Sequence, residues 1–171
     1  FAVRGGDAEY RAGAETIPGP STDWLCRLAV DRQAWVLGGS VLEKDGEAIF
    51  NTSVLVGRDG TIAATYRKIH LFRDEYRWFV PGDEPPPVVR LRSGVRVGVM
   101  ICFDWFFPES MRVLSLMGAD IVAHPANLVL PYCPQAMPVR CLENRVYAIT
   151  ANRIGEEQRK EGPALRFIGQ S

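Results

Sequence analysis

No stretch of this sequence has the length and apolarity of a membrane span. Its apolar runs are short and broken by charge, glycine or proline, well below the ~20 residues a helix needs to cross a bilayer. An excess of charge of either sign is missing too. Twenty lysines and arginines balance twenty aspartates and glutamates, so no basic field draws the chain to nucleic acid or to acidic membrane surfaces. Histidine is scarce, at two residues, and the cysteines at 26, 102, 133 and 141 form no CxxC pair. A zinc site of familiar spacing is excluded, and no metal is expected. Internal repeats and low-complexity tracts are absent.

What is present is a globular composition. Of 171 residues 47% are apolar, enough to bury a sizeable core, so one compact domain spanning 1–171 is the starting expectation. The partner is then a small molecule or another copy of the chain. A core of that size needs no disulfide staples, which points to reduced thiols in a cytoplasmic protein. The first residue is Phe1, and the sequence stops just after an apolar stretch, Leu165 to Ile168, that reads as a strand. Both ends are expected to be cut, so the lack of a leader segment says little about compartment.

The elements follow from periodicity. Ser21-Thr22-Asp23 ahead of Trp24, Leu25, Leu28 and Ala29 is an N-cap signal before an amphipathic stripe, predicting a helix over about 22–34. Short apolar runs at 35–37, 40–42, 53–56 and 61–66 read as strands, the last two joined by the hairpin signal Arg58-Asp59-Gly60. After a proline-rich loop, 81–87, the run 95–101 is a strand of the kind buried inside a sheet. Pro108 opens a helix that Gly118 closes. A strand at 121–123, a loop through Pro125 and Pro134, a helix containing Val139, Leu142 and Glu143, and a strand at 146–150 complete the order. The class is α/β with a mixed sheet: hairpins first, then parallel strands with crossover helices.

Cys102 ends the 95–101 strand, where ligands bind in open α/β sheets. The position exposes a thiol and brings backbone donors such as the Phe103 N–H toward a substrate oxygen. Taken alone, such a cysteine is more often a small core residue, and activation must come from elsewhere. Lys68, between apolar and aromatic neighbours, offers a desolvated cation that would favour the thiolate or a developing oxyanion; the bland reading makes Arg67 and Lys68 a solvated strand end. Glu75 is a carboxylate amid aromatics, suited to handling a proton or to holding a lysine. Asn127 is a candidate amide donor lining a pocket. Glu109, in a first helical turn, is explained by the helix dipole alone. His70 and His124 raise the competing idea of a cysteine–histidine hydrolase, though neither sits in a local signature for it.

Six blocks in order, around Ile17 to Thr22, Phe50 to Ser53, Tyr66 to Leu71, Phe79 to Asp83, Gly98 to Glu109, and Arg140 to Arg145 with Ala151 to Arg153, resemble the nitrilase, or carbon–nitrogen hydrolase, superfamily. The stretch Ile101 to Glu109 followed by His124 to Leu128 is similar to its archaeal and bacterial amidase-like members. The resemblance implies a four-layered α-β-β-α sandwich completed by dimerisation, and a Glu-Lys-Cys triad. Cys102 is then the nucleophile, Lys68 the lysine and Glu75 a second glutamate that positions lysine and substrate. It implies hydrolysis of an amide, nitrile or carbamoyl compound through a thioester, with no metal or organic cofactor. The first glutamate, the general base, belongs in a Pro-Glu segment just before Phe1. Its absence from the sequence favours the alternative, a non-catalytic scaffold of the same fold. The hydrolase reading requires Cys102 and Lys68 to serve one pocket.

Overall fold

The structure, a computed structural model, describes residues 7–158 and 163–171. The chain divides into two compact units, Phe1–Glu84 and Pro85–Ser171.

In the first unit, α1 (Asp7–Ala12) precedes α2 (Pro20–Arg32). The helix starts two residues before the expected boundary. Gly19 is its cap, Pro20 takes a first-turn position where a missing N–H is harmless, and the Thr22 hydroxyl accepts the Gly19 N–H at 2.8 Å. Gln33, left-handed at φ 49, ends it. Leu25 and Ala29, one turn apart, bury against Val54 and Val56. Removing a side chain the size of Leu25 from water is worth roughly 1.5–3 kcal/mol.

The partner of α2 is an antiparallel sheet of β1 (Val36–Leu37), β2 (Val41–Asp45), β3 (Ala48–Val56) and β4 (Ile62–Arg67), in which β3 pairs with each of the others. The expected hairpin joins β3 and β4. Gly60, at φ 81, supplies the left-handed residue, and Asp59 Oδ1 accepts both the Thr61 N–H and its hydroxyl. β3 runs five residues earlier than the apolar run at 53–56 indicates, because its polar members are buried with partners. Thr52 Oγ1 donates to Glu43 at 2.6 Å and Ser53 Oγ to the Gly38 carbonyl at 2.5 Å. Side chains alternate along β3, so Val54 and Val56 meet α2 while Ile49 faces the other way, into a cluster with Leu42, Leu71 and Phe79.

The second unit holds β5 (Val88–Arg90), β6 (Arg96–Val99), α3 (Pro108–Leu116), β7 (Ile121–Ala126), α4 (Tyr132–Asn144) and β8 (Tyr147–Asn152), then a hairpin of β9 (Ile154–Glu157) and β10 (Leu165–Ile168). The sheet order is β5-β6-β7-β8. The β5–β6 pair is antiparallel and the other two are parallel, with α3 and α4 as crossovers, so the mixed α/β class is as expected. Met111 and Leu114 of α3 and Cys133 and Met137 of α4 pack with Met100 and Val122 in one core. Gly98 lets α3 approach closely: a Cβ there would lie 2.9 Å from Leu114 Cδ2.

Two prolines assigned to a loop lie inside elements. Pro125 is in β7, opposite Ala151 of β8. The Met100 N–H donates to the Ala123 carbonyl, so alternation turns Pro125 toward the side where β6 has already ended, and no ladder donor is lost. Pro134 falls in the first turn of α4, where proline is tolerated. Among the described residues no helix is long and apolar enough to cross a membrane.

Candidate active site

Arg67 and Lys68 are adjacent cations with opposite fates. Arg67, the last residue of β4, turns outward: its guanidinium makes two bonds to Glu43 and one to Asp45, and stacks 3.9 Å above the Phe50 ring. The hydrogen bond to Glu43 holds its pKa above the usual arginine value despite partial desolvation. Lys68 turns inward and its side chain is 1% exposed. The solvated-strand-end reading is therefore wrong for Lys68.

Burying an ammonium requires a counter-charge, and Glu75 supplies it. Its Oε2 lies 2.6 Å from Lys68 Nζ and accepts the Phe72 N–H at 2.6 Å, while its Oε1 accepts Asn51 Nδ2 at 3.2 Å. Glu75 sits on a 3-10 turn, Arg73–Arg77, whose first-turn donor is the one it captures. Asn51 belongs to the β3 face turned away from α2, and its backbone carbonyl also receives the Lys68 N–H at 2.8 Å. Its Oδ1 is buried without a hydrogen-bond partner among the described residues. Sequence reasoning missed Asn51, although the block Phe50 to Ser53 contains it.

In the second unit Cys102 begins a 3-10 turn, Cys102–Phe106, directly beyond the carboxyl end of the β6 segment. Its φ is +39, left-handed for a residue with a Cβ. Such a conformation costs of order 1–3 kcal/mol and persists only where neighbours impose it. They do. The Asp104 carboxylate, fully buried, accepts the Ile101 N–H at 2.9 Å, and His124 Nε2 meets the Cys102 carbonyl at 2.9 Å. Phe103 follows on the turn, its ring stacked on Phe106 and edge-on to Phe107. Asn127, half-buried, comes just after β7. Because β6 and β7 are parallel neighbours, Cys102, Phe103 and Asn127 all follow the carboxyl ends of adjacent strands.

Two of the other thiols, Cys133 and Cys141, are poor nucleophiles by environment. Burial pushes the Cys133 thiol up to about 12, with the neighbouring Cys102 adding to it, and burial also raises Cys141. Cys102 is partly accessible. The structure thus brings Lys68 together with Glu75 in one unit, and sets Cys102, Phe103 and Asn127 beyond the carboxyl ends of adjacent strands in the other. His70 is half-buried two residues beyond Lys68. Among the described residues no group of three or more His, Cys, Asp or Glu side chains could hold a metal ion.

A buried lysine–glutamate pair in one unit and a strained cysteine turn in the other are features that a cysteine hydrolase would use, and the comparisons bear on that class. The carbon-nitrogen hydrolase family model matches residues 1–171, and the chain belongs to that family, within the nitrilase superfamily. It is 52% identical over 159 residues to a nitrilase of Pyrococcus abyssi, covering 92% of this chain and 58% of that protein. With an omega-amidase of Pongo abelii the identity is 33%, over 85% of this chain and 56% of that protein. The fold matches an amidase from Nesterenkonia sp. AN1, solved with the acetamide moiety of fluoroacetamide added at its active-site cysteine. The TM-score is 0.77 at 29% identity, over 87% of this chain and 56% of that one. The chain thus spans a little over half the length of the relatives it matches.

Proposed function

We propose that the protein hydrolyses the carbon–nitrogen bond of a small amide, nitrile or carbamoyl compound, with residues 1–171 forming one hydrolase domain and Cys102, Lys68 and Glu75 forming its catalytic set. The observation that carries this reading is the Cys102 turn: a partly accessible thiol beyond a parallel strand, held left-handed by two buried side chains. The nitrilase and the amidases named above support the substrate class, and the adduct on the Nesterenkonia amidase supports a covalent step.

With an amide substrate the Cys102 thiolate attacks the carbonyl carbon; a nitrile would give a thioimidate that takes up one additional water. Charge that collects on the oxygen is met by the Lys68 ammonium and the Phe103 N–H, while Asn127 orients the substrate. The tetrahedral adduct collapses, the C–N bond breaks, and ammonia or an amine leaves with a proton. Water then attacks the thioester, returning the thiol and releasing a carboxylic acid. Glu75 is engaged by Lys68, the Phe72 N–H and Asn51, which fits it for holding the cation, and the proton lost by the thiol departs on the leaving amine. No metal or organic cofactor enters this scheme. Free cysteines fit a cytoplasmic protein. The exposed apolar side chains of Val139, Leu142 and Tyr147 offer a surface for a second copy.

The test is ammonia release from a panel of amides, nitriles and carbamoyl compounds by the full-length protein. Cys102→Ala should abolish turnover, and Lys68→Ala should lower it by about 10²–10³. Wild-type rates from Cys102→Ala would end the proposal. Silence from wild type across the whole panel would favour a non-catalytic scaffold.

A further inference from the structure

His124 is 1% exposed and both its ring nitrogens are engaged, Nε2 with the Cys102 carbonyl at 2.9 Å and Nδ1 with Thr150 Oγ1 at 3.0 Å. A carbonyl can only accept, so Nε2 carries the proton, and in the neutral ring the Thr150 hydroxyl donates to Nδ1. Thr150 is the register partner of His124 in the β7–β8 ladder. The ring is thereby braced by the sheet, while the carbonyl fixes its tautomer and the Thr150 hydroxyl adapts to it. An imidazole committed in this way is not available as a base for the thiol.

Its target is more informative. The Cys102 carbonyl and the Phe103 N–H are the two ends of one planar trans peptide and point in opposite directions. Holding the carbonyl toward β7 aims the N–H away from it. The left-handed φ at Cys102 turns this peptide out of the β6 ladder, so the imidazole ties the turn back to the sheet.

We infer that His124 is a positioning residue: through the Cys102 carbonyl it sets the direction of the Phe103 N–H and so aligns the oxyanion donor. This rests on the proposed roles of Cys102 and Phe103. The two requirements separate in a simple way. Acyl transfer needs an oxyanion donor, whereas alkylation of the same thiol by iodoacetamide forms no oxyanion at all.

The test uses His124→Phe, which keeps the ring shape without a donor, and His124→Gln, which restores an N–H near Nε2, both in the full-length protein. For ammonia release His124→Phe should lose about tenfold to a hundredfold in kcat with KM unchanged, less than the ~10²–10³ for deleting an oxyanion donor outright. His124→Gln should recover most of it. Cys102 alkylation should keep its rate and pH profile in both. Equal losses in alkylation and kcat, or wild-type kcat in His124→Phe, would overturn the inference.

Should His124→Phe fail to fold, Thr150→Val tests the same arrangement by removing the hydroxyl that braces the ring, with a several-fold loss in kcat expected. Imidazole nitrogen NMR on wild type gives a readout without turnover: the Nε2-protonated tautomer supports the inference, and the Nδ1-protonated one refutes it. Absence of turnover in wild type would count against the hydrolase reading, and the NMR result would still decide the His124 contact.

Discussion

Replacing Glu75 with glutamine preserves the shape of the side chain and removes its charge, and the geometry makes the outcome calculable. Lys68 is 1% exposed and its ammonium stands 2.6 Å from the carboxylate, whereas Glu75 itself is 22% exposed. In Glu75→Gln the ammonium stays buried opposite a neutral amide. Leaving one buried partner uncompensated costs about 3–5 kcal/mol, and the low end applies here because Glu75 has some access to water. At about 2–4 °C per kcal/mol for a chain of this size, a loss of about 3 kcal/mol lowers Tm by about 6–12 °C. The reverse change is milder. Lys68→Met leaves a carboxylate that keeps the Phe72 and Asn51 donors and meets water, so about 1–2 kcal/mol is expected. The double variant removes the stranded charge, and the cycle should show a coupling of about 1–2 kcal/mol. Urea and thermal unfolding of the four proteins measure all three quantities. Glu75→Gln within about 0.5 kcal/mol of wild type, or Lys68→Met the less stable of the two, would refute the reasoning.

Three further outcomes follow from single features. At φ +39 a Cβ is strained, so Cys102→Gly should be more stable than Cys102→Ala by about 1 kcal/mol in urea unfolding; equal stability would mean the turn is relaxed. Near pH 8 iodoacetamide should modify Cys102 and spare Cys133, whose thiol burial pushes up to about 12; peptide mapping with Cys133 labelled first would contradict this. Hydrogen bonds from Arg96 hold Asp120 down to about 2. A depressed carboxylate adds stability above its ordinary value of 3.8 and loses it as pH falls toward 2, so Asp120→Asn should remove that part of the acid transition. A carboxylate NMR titration centred near 3.8 would disprove the pairing.

The parts of the fold carried by local pattern were legible in the sequence. The apolar stripe of α2, the Asp59-Gly60 hairpin and the strand–helix alternation after Pro85 each express a periodicity or a turn residue, and each stands within a few residues of its expected place. Cys102 could be placed at a strand end by the same reasoning. Elements stabilised by partners distant in the chain were not legible. β3 also contains Asn51 and Thr52, which lie outside the expected strand because nothing in the local pattern shows that Glu75 and Glu43 satisfy them. Pro125 fits in β7 only because β6 ends beside it.

The candidate site divides along the same line. Residue types and motif order singled out Lys68, Glu75 and Cys102 as candidates, because chemistry restricts which side chains can serve. Composition could not say that Arg67 faces Glu43 while Lys68 is buried, since the two are equivalent in sequence and differ only in which side of the strand end each occupies. Nor could it give His124 more than a packed position, for its role depends on a carbonyl twenty-two residues away. What the sequence determined by itself was the set of groups able to react. Which of them are desolvated, paired and held in direction was decided by tertiary structure, because burial and hydrogen-bond geometry arise only when segments remote in the chain are brought into contact.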